Sequence, residues 1–517
     1  MANIPTKTWQ QYEAGREYKR KIGLYETVRK NERFYRGDQW KGESSELPRP
    51  VFNIIRRVID YLVGAIMPGD ITIHYSDDRL PFIENTELRE AVCKGLSLLD
   101  KNAAYRWNRN HLNELVQRAL LDAAVSGDGV FYCWWDDQKN CGQPFLGEIR
   151  TDLICNSDLF VADVNSTDLQ SQEYLILSGR ASVASLRREA EEAGVSASDL
   201  VKIVGDDNVA NSMMISADLS SVQLSGAEKT TYLIKFFREN GEVIFEKSTR
   251  DCLIRRVHTG LSLYPVAYFN WYPTKKCFHG TAPVTDMIPN QTYINTAYAM
   301  MMKHMSDTAF SKVIYDKSRI PEWSNEVGEA IAAMGGGNVA DAVSVVGVGQ
   351  MQVGYLDLIN NVIENTKSMM GATDAALGDE QASNTSAILA LQEASYVTLT
   401  GINARLCRCI GELASIWSDM LCTYCPKERL IPYEDADGLH AERIDYSIFK
   451  NELIRATAQT AHIGHYTPAA TVSILNNLLQ SGHLDVRQYL KSLPVGSIVN
   501  RERLLQEIPL KGTESNE

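Results

Sequence analysis

The sequence predicts an α+β fold in which helix outweighs strand. Three observations carry this reading. Apolar residues recur at spacings of three and four near the N-terminus and again in long stretches after residue 289. Between them, residues 145–180 and 230–272 alternate or cluster β-branched and aromatic side chains, with turns at Glu239-Asn-Gly-Glu242 and His258-Thr-Gly260. A chain of 517 residues also exceeds one ordinary core and divides into two to four packed units.

From the N-terminus, Thr8 to Met67 reads as helix, with Tyr18, Ile22, Tyr25, Val28 and Glu32 on one face. Gly37 breaks it within Phe34-Tyr-Arg-Gly-Asp-Gln-Trp40, and Leu47-Pro-Arg-Pro50 stops it. Asn53 then caps a helix whose apolar stripe is Phe52, Ile55, Ile59, Leu62 and Ile66, ending at Pro68-Gly69. A strand at Ile71–Tyr75 precedes a helical stretch from Ile83 to Leu121. Ser126-Gly-Asp-Gly129 is a turn that hands this helix to the aromatic strand Val130-Phe-Tyr-Cys-Trp-Trp135. Ser182 to Gly194 is a short charged helix, and the Ser- and Ala-rich residues 196–228 leave the main sheet.

The second half turns helical from Pro289 to Ser306, with strands expected at Phe310–Tyr315 and Ala342–Val348 among Gly335-Gly-Gly337 and Gly347-Val-Gly349. Tyr355–Met370 is a further helix, and Ser386–Tyr424 is the longest helical pattern, interrupted only by Gly401 and Gly411. The final 70 residues read as helical, with Thr467-Pro468 opening one helix and Gly482 closing it.

Composition narrows the function. A hydrophobic content of 44% with 23% charged residues belongs to a folded protein rather than a disordered one. No secretory h-region follows Met1, and the most apolar run, Phe52–Met67, contains Arg56, Arg57 and Asp60, so no membrane partner is expected and the protein is expected to be made and used in the cytosol. The ten cysteines read as reduced thiols. Cys422-Thr-Tyr-Cys425 has half of a metal or redox spacing, but Cys407 and Cys409 point to different sides of their helix, and small buried residues explain all four better. The net charge of −13 argues against a static nucleic-acid binder, which needs a basic stripe; it suits a conduit, where tight phosphate contacts would act as friction.

Catalytic signatures are missing. The chain has no Gly-x-x-x-x-Gly-Lys-Ser/Thr and no Gly-x-Ser-x-Gly. His462, His465 and His483 lack an intervening glutamate of metalloprotease type. Asp374, Asp379 and Glu380 could ligate metal in a nuclease, yet they lie on one Gly- and Ala-rich loop and read better as a solvated acidic loop. No enzyme activity, metal or cofactor is expected.

Four segments, in order, resemble the portal proteins of tailed bacteriophages, the head-to-tail connectors through which DNA enters and leaves the capsid. They are Phe34–Trp40 with Arg49-Pro-Val-Phe-Asn-Ile-Ile55; Tyr264-Pro-Val-Ala-Tyr268 with Gly280-Thr-Ala-Pro-Val-Thr-Asp286 and Gln291-x-x-x-Asn295; Asn384-Thr-Ser-Ala387 before the long helix; and the C-terminal part from Asp445. The resemblance implies a portal fold with a wing at 1–280, a first stem helix at 281–306, a clip at 307–350, a second stem helix at 351–371, a tunnel loop at 372–387, a long helix and return at 388–444, and a helical crown and tail at 445–517. It implies a ring of about twelve copies at one capsid vertex of the virion, assembled in the host cytoplasm. Double-stranded DNA would pass through it, and its partners would be the terminase large subunit, a head-completion adaptor, and the major capsid and scaffolding proteins. Thr373, Asp374, Asp379, Glu380, Gln381 and Asn384 would line the channel, with Gly371 and Gly378 as loop hinges. Lys303, Lys312, Lys317 and Arg319 would supply the few phosphate contacts, and Met300, Met301, Met302, Met305, Met369 and Met370 adaptable faces between subunits. Two rival readings are a metal-dependent nuclease and another ring-forming virion protein.

Overall fold

A computed structural model describes residues 6–42, 47–67, 71–206, 228–308, 312–324, 326, 330–346, 354–373, 397–435, 438–449, 454–460, 468–493 and 504. Helix and strand are mixed, as expected of an α+β chain. In chain order the elements are α1 (Lys7–Lys21), α2 (Leu24–Arg36), α3 (Ile54–Ile66), β1 (Ile71–Asp77), α4 (Thr86–Arg109), α5 (Leu112–Ser126), β2 (Asp128–Asn140), β3 (Leu146–Leu153), β4 (Leu159–Val161), β5 (Tyr174–Ser182), α6 (Val183–Glu192), α7 (Ala197–Leu200), β6 (Lys229–Glu239), β7 (Glu242–Ser248), β8 (Leu253–His258) and β9 (Val266–Asn270). There follow α8 (Pro283–Thr308), β10 (Lys312–Tyr315), β11 (Val343–Val346), α9 (Gly354–Met369), α10 (Thr400–Tyr424), β12 (Leu430–Asp435), β13 (Gly438–Arg443), β14 (Ile454–Thr460), α11 (Pro468–Gln480) and α12 (Val486–Ser492).

The chain separates into two compact units, residues 1–64 with 113–370 and residues 65–112 with 371–517. In the first, β4-β5-β6-β7-β8 form an antiparallel sheet and β3-β2-β9 a second one. The turn between β6 and β7 is Asn240-Gly241, both with positive φ, the geometry that suits a tight hairpin. Trp9 and Tyr12 of α1 pack on Phe160, Ile176 and Leu233, while Val183, Leu186 and Ala190 of α6 pack with Ile254 and Tyr232. Tyr232 and Leu233 are neighbours on one strand and point oppositely, so α1 and α6 cover opposite faces of the five-stranded sheet.

The expected N-terminal stripe is cut by Gly23 (φ 70), which separates α1 from α2 and leaves Ile22 exposed. The helix after Asn53 is as read. Asn53 Oδ1 accepts from Arg56 N at 3.1 Å, and Ile55, Ile59, Leu62 and Ile66 are buried, whereas Phe52 lies before the helix and is exposed. The stretch expected as one helix from Ile83 breaks at His111 (φ 51) into α4 and α5.

In the second unit β1 and β14 pair antiparallel, Tyr75 opposite Ala456. Both N–H groups point away from the ladder and are taken by helices: Asp100 Oδ1 of α4 accepts Tyr75 N at 2.7 Å, and Ser415 Oγ of α10 accepts Ala456 N at 3.0 Å. One turn earlier, a Cβ on Gly411 would stand 2.7 Å from Ala456 O, so only glycine lets α10 lie on this strand. The C-terminal part is therefore not wholly helical. Ile454–Thr460 is a strand because β1, remote in sequence, supplies its ladder. Leu475, Leu490 and Leu493 hold α11 and α12 together.

Candidate functional site

Two of the four segments that carried the resemblance, those of residues 34–55 and 264–295, meet within the first unit, where α8 begins. Gly127 (φ +98) and Gly280 touch backbone to backbone. A Cβ on Gly127 would stand 2.5 Å from Gly280 O, and one on Gly280 2.9 Å from Gly127 O and 2.6 Å from Asn270 Cβ. This approach seats the Asp128 side chain, which is wholly buried. Its carboxylate accepts from Gly280 N at 2.8 Å, Asn156 Nδ2 at 3.0 Å, Asn270 Nδ2 at 3.3 Å and His279 Nδ1 at 2.7 Å. A buried carboxylate is tolerable only when so fully paired. Ser126-Gly-Asp-Gly129 is thus the turn expected, and it also holds the residue that pins the chain entering α8.

Lys19 of α1 is buried close by. Its ammonium donates to Asn156 O at 2.6 Å, Ser157 O at 3.0 Å and Leu159 O at 2.6 Å, over the Phe160 ring. Burial pulls its pKa down to about 7, against the opposing pull of Asp158 and Asp128. Nothing in the spacing of α1 singles out Lys19, and the sequence reading missed it.

Three side-chain amides connect the other motif segments. Gln291 Oε1 of α8 accepts from Ile54 N at 3.0 Å at the start of α3, and its Nε2 donates to Phe52 O at 2.8 Å and Asn295 Oδ1 at 2.9 Å. Asn295 Nδ2 donates to Gln39 Oε1 at 2.6 Å, and Gln39 Nε2 to Phe34 O at 2.9 Å near the end of α2. Asn31 of α2 donates to Thr285 Oγ1 at 2.9 Å. The ring of Tyr298 lies 4.5 Å from that of Phe52.

Beyond this junction the character of the chain changes. Burial along α8 runs through Val284, Met287, Ile288, Gln291, Ile294 and Asn295 and stops at Ala299. On α9 only Ile359 and Thr366 are buried, and Asn290 Nδ2 donates to Thr366 Oγ1 at 2.9 Å. Thirteen of the thirty large apolar side chains exposed among the described residues lie between Tyr293 and Met369. Met300 is 60% exposed, Met305 59% and Met369 76%; Met302 is exposed, and Met301 and Met370 are half-buried. With Asn290 level with Thr366, Met369 and Met370 sit beside the first half of α8 and Met300–Met305 along its last turns. The six methionines are two groups rather than one.

Between the helices, β10 and β11 form a two-stranded antiparallel ribbon, with Val313 opposite Val345 and Ile314 opposite Ser344. Ile314 and Val345 project from opposite faces and are both exposed. Tyr315 and Trp323 stack at 5.3 Å between ring centres. Of the cations expected to meet phosphate, Lys303 lies 3.6 Å from Asp307 Oδ2, Lys317 is exposed beyond β10, and Arg319 donates to Asn338 O at 3.3 Å. Lys312 opens β10. Lys303 thus lies on α8, Lys312 at the start of β10, and Lys317 and Arg319 in the segment after it.

Gly371 has φ 73 and Thr373 is half-buried. Asp374, Gly378, Asp379, Glu380, Gln381 and Asn384 lie outside the described residues, as do His462 and His465. Among the described residues no group of three or more His, Cys, Asp or Glu side chains could hold a metal ion, and no helix is long and apolar enough to cross a membrane.

No curated protein matches the chain. Residues 264–447, from the strand that enters the Asp128 junction through α8 and α9 to the end of the β12–β13 hairpin, match the phage P22-like portal protein family, which shows the resemblance to phage portal proteins.

Proposed function

We propose that this chain is the subunit of a ring-shaped channel at one capsid vertex, through which double-stranded DNA is packaged and ejected. One observation supports this most: the segment matching the portal family is also where apolar surface is left uncovered, on α8, α9 and both faces of the β10–β11 ribbon. A lone globule rarely leaves so much apolar surface open. A head-to-tail interface that closes on itself covers it with neighbouring copies. Thioether side chains adapt to such lateral helix packing, and a short ribbon with open edges accepts a strand from a neighbour.

About twelve copies would close the ring. With a net charge of −13 on each, the walls repel the duplex and let it slide, and Lys303, Lys312, Lys317 and Arg319 supply what phosphate contact there is. Residues 372–387 would be the tunnel loop facing DNA, with Thr373, Asp374, Asp379, Glu380, Gln381 and Asn384 on it and Gly371 and Gly378 as its hinges. The terminase large subunit would dock on the clip during packaging and a head-completion adaptor afterwards, with capsid and scaffolding proteins around the wing. The matched family is a structural one, so the work of packaging belongs to another chain.

Sedimentation velocity of the purified protein tests this reading. A single fast species of about twelve subunits is expected, and a monomer at all concentrations would overturn it. Deleting residues 373–385 should leave the rings intact while impairing DNA packaging or retention.

A further inference from the structure

The amides of Gln291, Asn295 and Gln39 form one directional chain, and its direction is dictated at both ends. At one end stands the start of α3, whose Ile54 N–H can only donate; Phe52 O accepts from it at 2.9 Å and Gln291 Oε1 at 3.0 Å. At the other stands Phe34 O in the last turn of α2, which can only accept; it takes Gly37 N at 3.2 Å and Gln39 Nε2 at 2.9 Å. Between them each amide gives its N–H to the next oxygen, Gln291 to Asn295 at 2.9 Å and Asn295 to Gln39 at 2.6 Å. The partial positive end of α3 and the partial negative end of α2 therefore polarise the chain in the same sense, and head-to-tail bonds strengthen one another. Gln39, Gln291 and Asn295 are all buried, so none can exchange a partner for water.

Two of these amides belong to α8, four residues apart and on one face. Rotating or sliding α8 would break the bonds at both ends together. The exposed Met300, Met302 and Met305 lie five to ten residues beyond Asn295 on the same helix, so the angle at which they face a neighbour is set where the amides grip.

We infer that Gln39, Gln291 and Asn295 are positioning residues that fix the rotational setting of α8 and thereby the number of subunits that close the ring. This rests on the ring reading above. Twelve-fold closure needs roughly 30° between neighbours and thirteen-fold roughly 28°, so a small error in each α8 changes the count. Apolar packing alone is tolerant of such errors; directional hydrogen bonds are not.

The test is native mass spectrometry of rings from wild type, Asn295→Asp, and Asn295→Asp combined with Gln39→Lys. Aspartate keeps the volume of Asn295 but cannot donate to Gln39, which breaks the chain at one link. Lysine in place of Gln39 has donors for both the introduced carboxylate and Phe34 O and restores it. The expected result is one dominant ring size for wild type, a spread over neighbouring sizes for the single variant, and a return to one size for the double. Rings of one unchanged size in the single variant would overturn the inference and leave the ring reading standing. So would a double variant that folds but stays spread, or loss of fold in both variants, since the amides would then serve stability and not the setting of α8. A monomeric wild type would instead sink the ring reading itself.

Discussion

The junction around Asp128 and the helical hairpin it launches lie in one compact unit and are built by opposite rules. At the junction, buried polar groups are tied together by hydrogen bonds: a carboxylate with four donors, an ammonium with three carbonyls, three amides in series. Along α8 beyond Ala299, along α9 and in the ribbon, polar matches are few and large apolar side chains stand open. The first region is complete within one chain. The second leaves its apolar surface open in the single chain, so on the proposed ring reading substitutions in the two should separate stability of the subunit from assembly.

The largest effect on the subunit is expected at Asp128. Asp128→Ala would leave Gly280 N, Asn156, Asn270 and His279 buried without their acceptor, and should cost about 3–5 kcal/mol in denaturant unfolding. A loss under about 1 kcal/mol would mean that the junction is not what holds α8 in place.

Lys19 gives a pH signature. Its pKa falls from 10.5 unfolded to about 7 folded, so between these values the unfolded chain binds more protons and stability rises with pH. The unfolding free energy of wild type relative to Lys19→Met should therefore rise by about 3 kcal/mol from pH 7 to pH 9.5, at 1.36 kcal/mol per pKa unit. A flat difference would show that the ammonium is not desolvated in solution.

Met302→Asp should do the reverse of Asp128→Ala. The unfolding free energy of the dissociated subunit should change by about 0.5 kcal/mol or less, while rings are lost, because an unpaired charge would have to enter a helix–helix contact. Rings of normal yield would put that face outside the interface. The smallest effect is expected for Met369→Ser, within about 0.5 kcal/mol for the subunit by thermal unfolding; a larger loss would mean that this methionine belongs to the subunit's own core.

How much of this was legible depended on whether the cause was local. The Asn53 cap, the Asn240-Gly241 hairpin and the stripe Ile55, Ile59, Leu62 and Ile66 have local causes and were readable. The segments Phe34–Trp40, Arg49–Ile55, Gly280–Asp286 and Gln291–Asn295 were readable as a set, but not the reason they go together, which is one hydrogen-bonded junction. β14 was not legible, because Ile454-Arg-Ala-Thr-Ala-Gln-Thr460 is short and alanine-containing. Its strand state comes from β1, and its backbone at Ala456 passes against Gly411. The break at His111 had no glycine or proline to announce it, and a lysine amid the polar residues of α1 gave no sign that it was buried.

Electron microscopy of the purified protein, negatively stained, is the most direct measurement of the central claim that the open faces of α8, α9 and the ribbon are covered by neighbouring copies. The account predicts closed annuli with about twelve-fold symmetry and a central hole. Separate single particles at micromolar concentration, with those faces still bare, would contradict it.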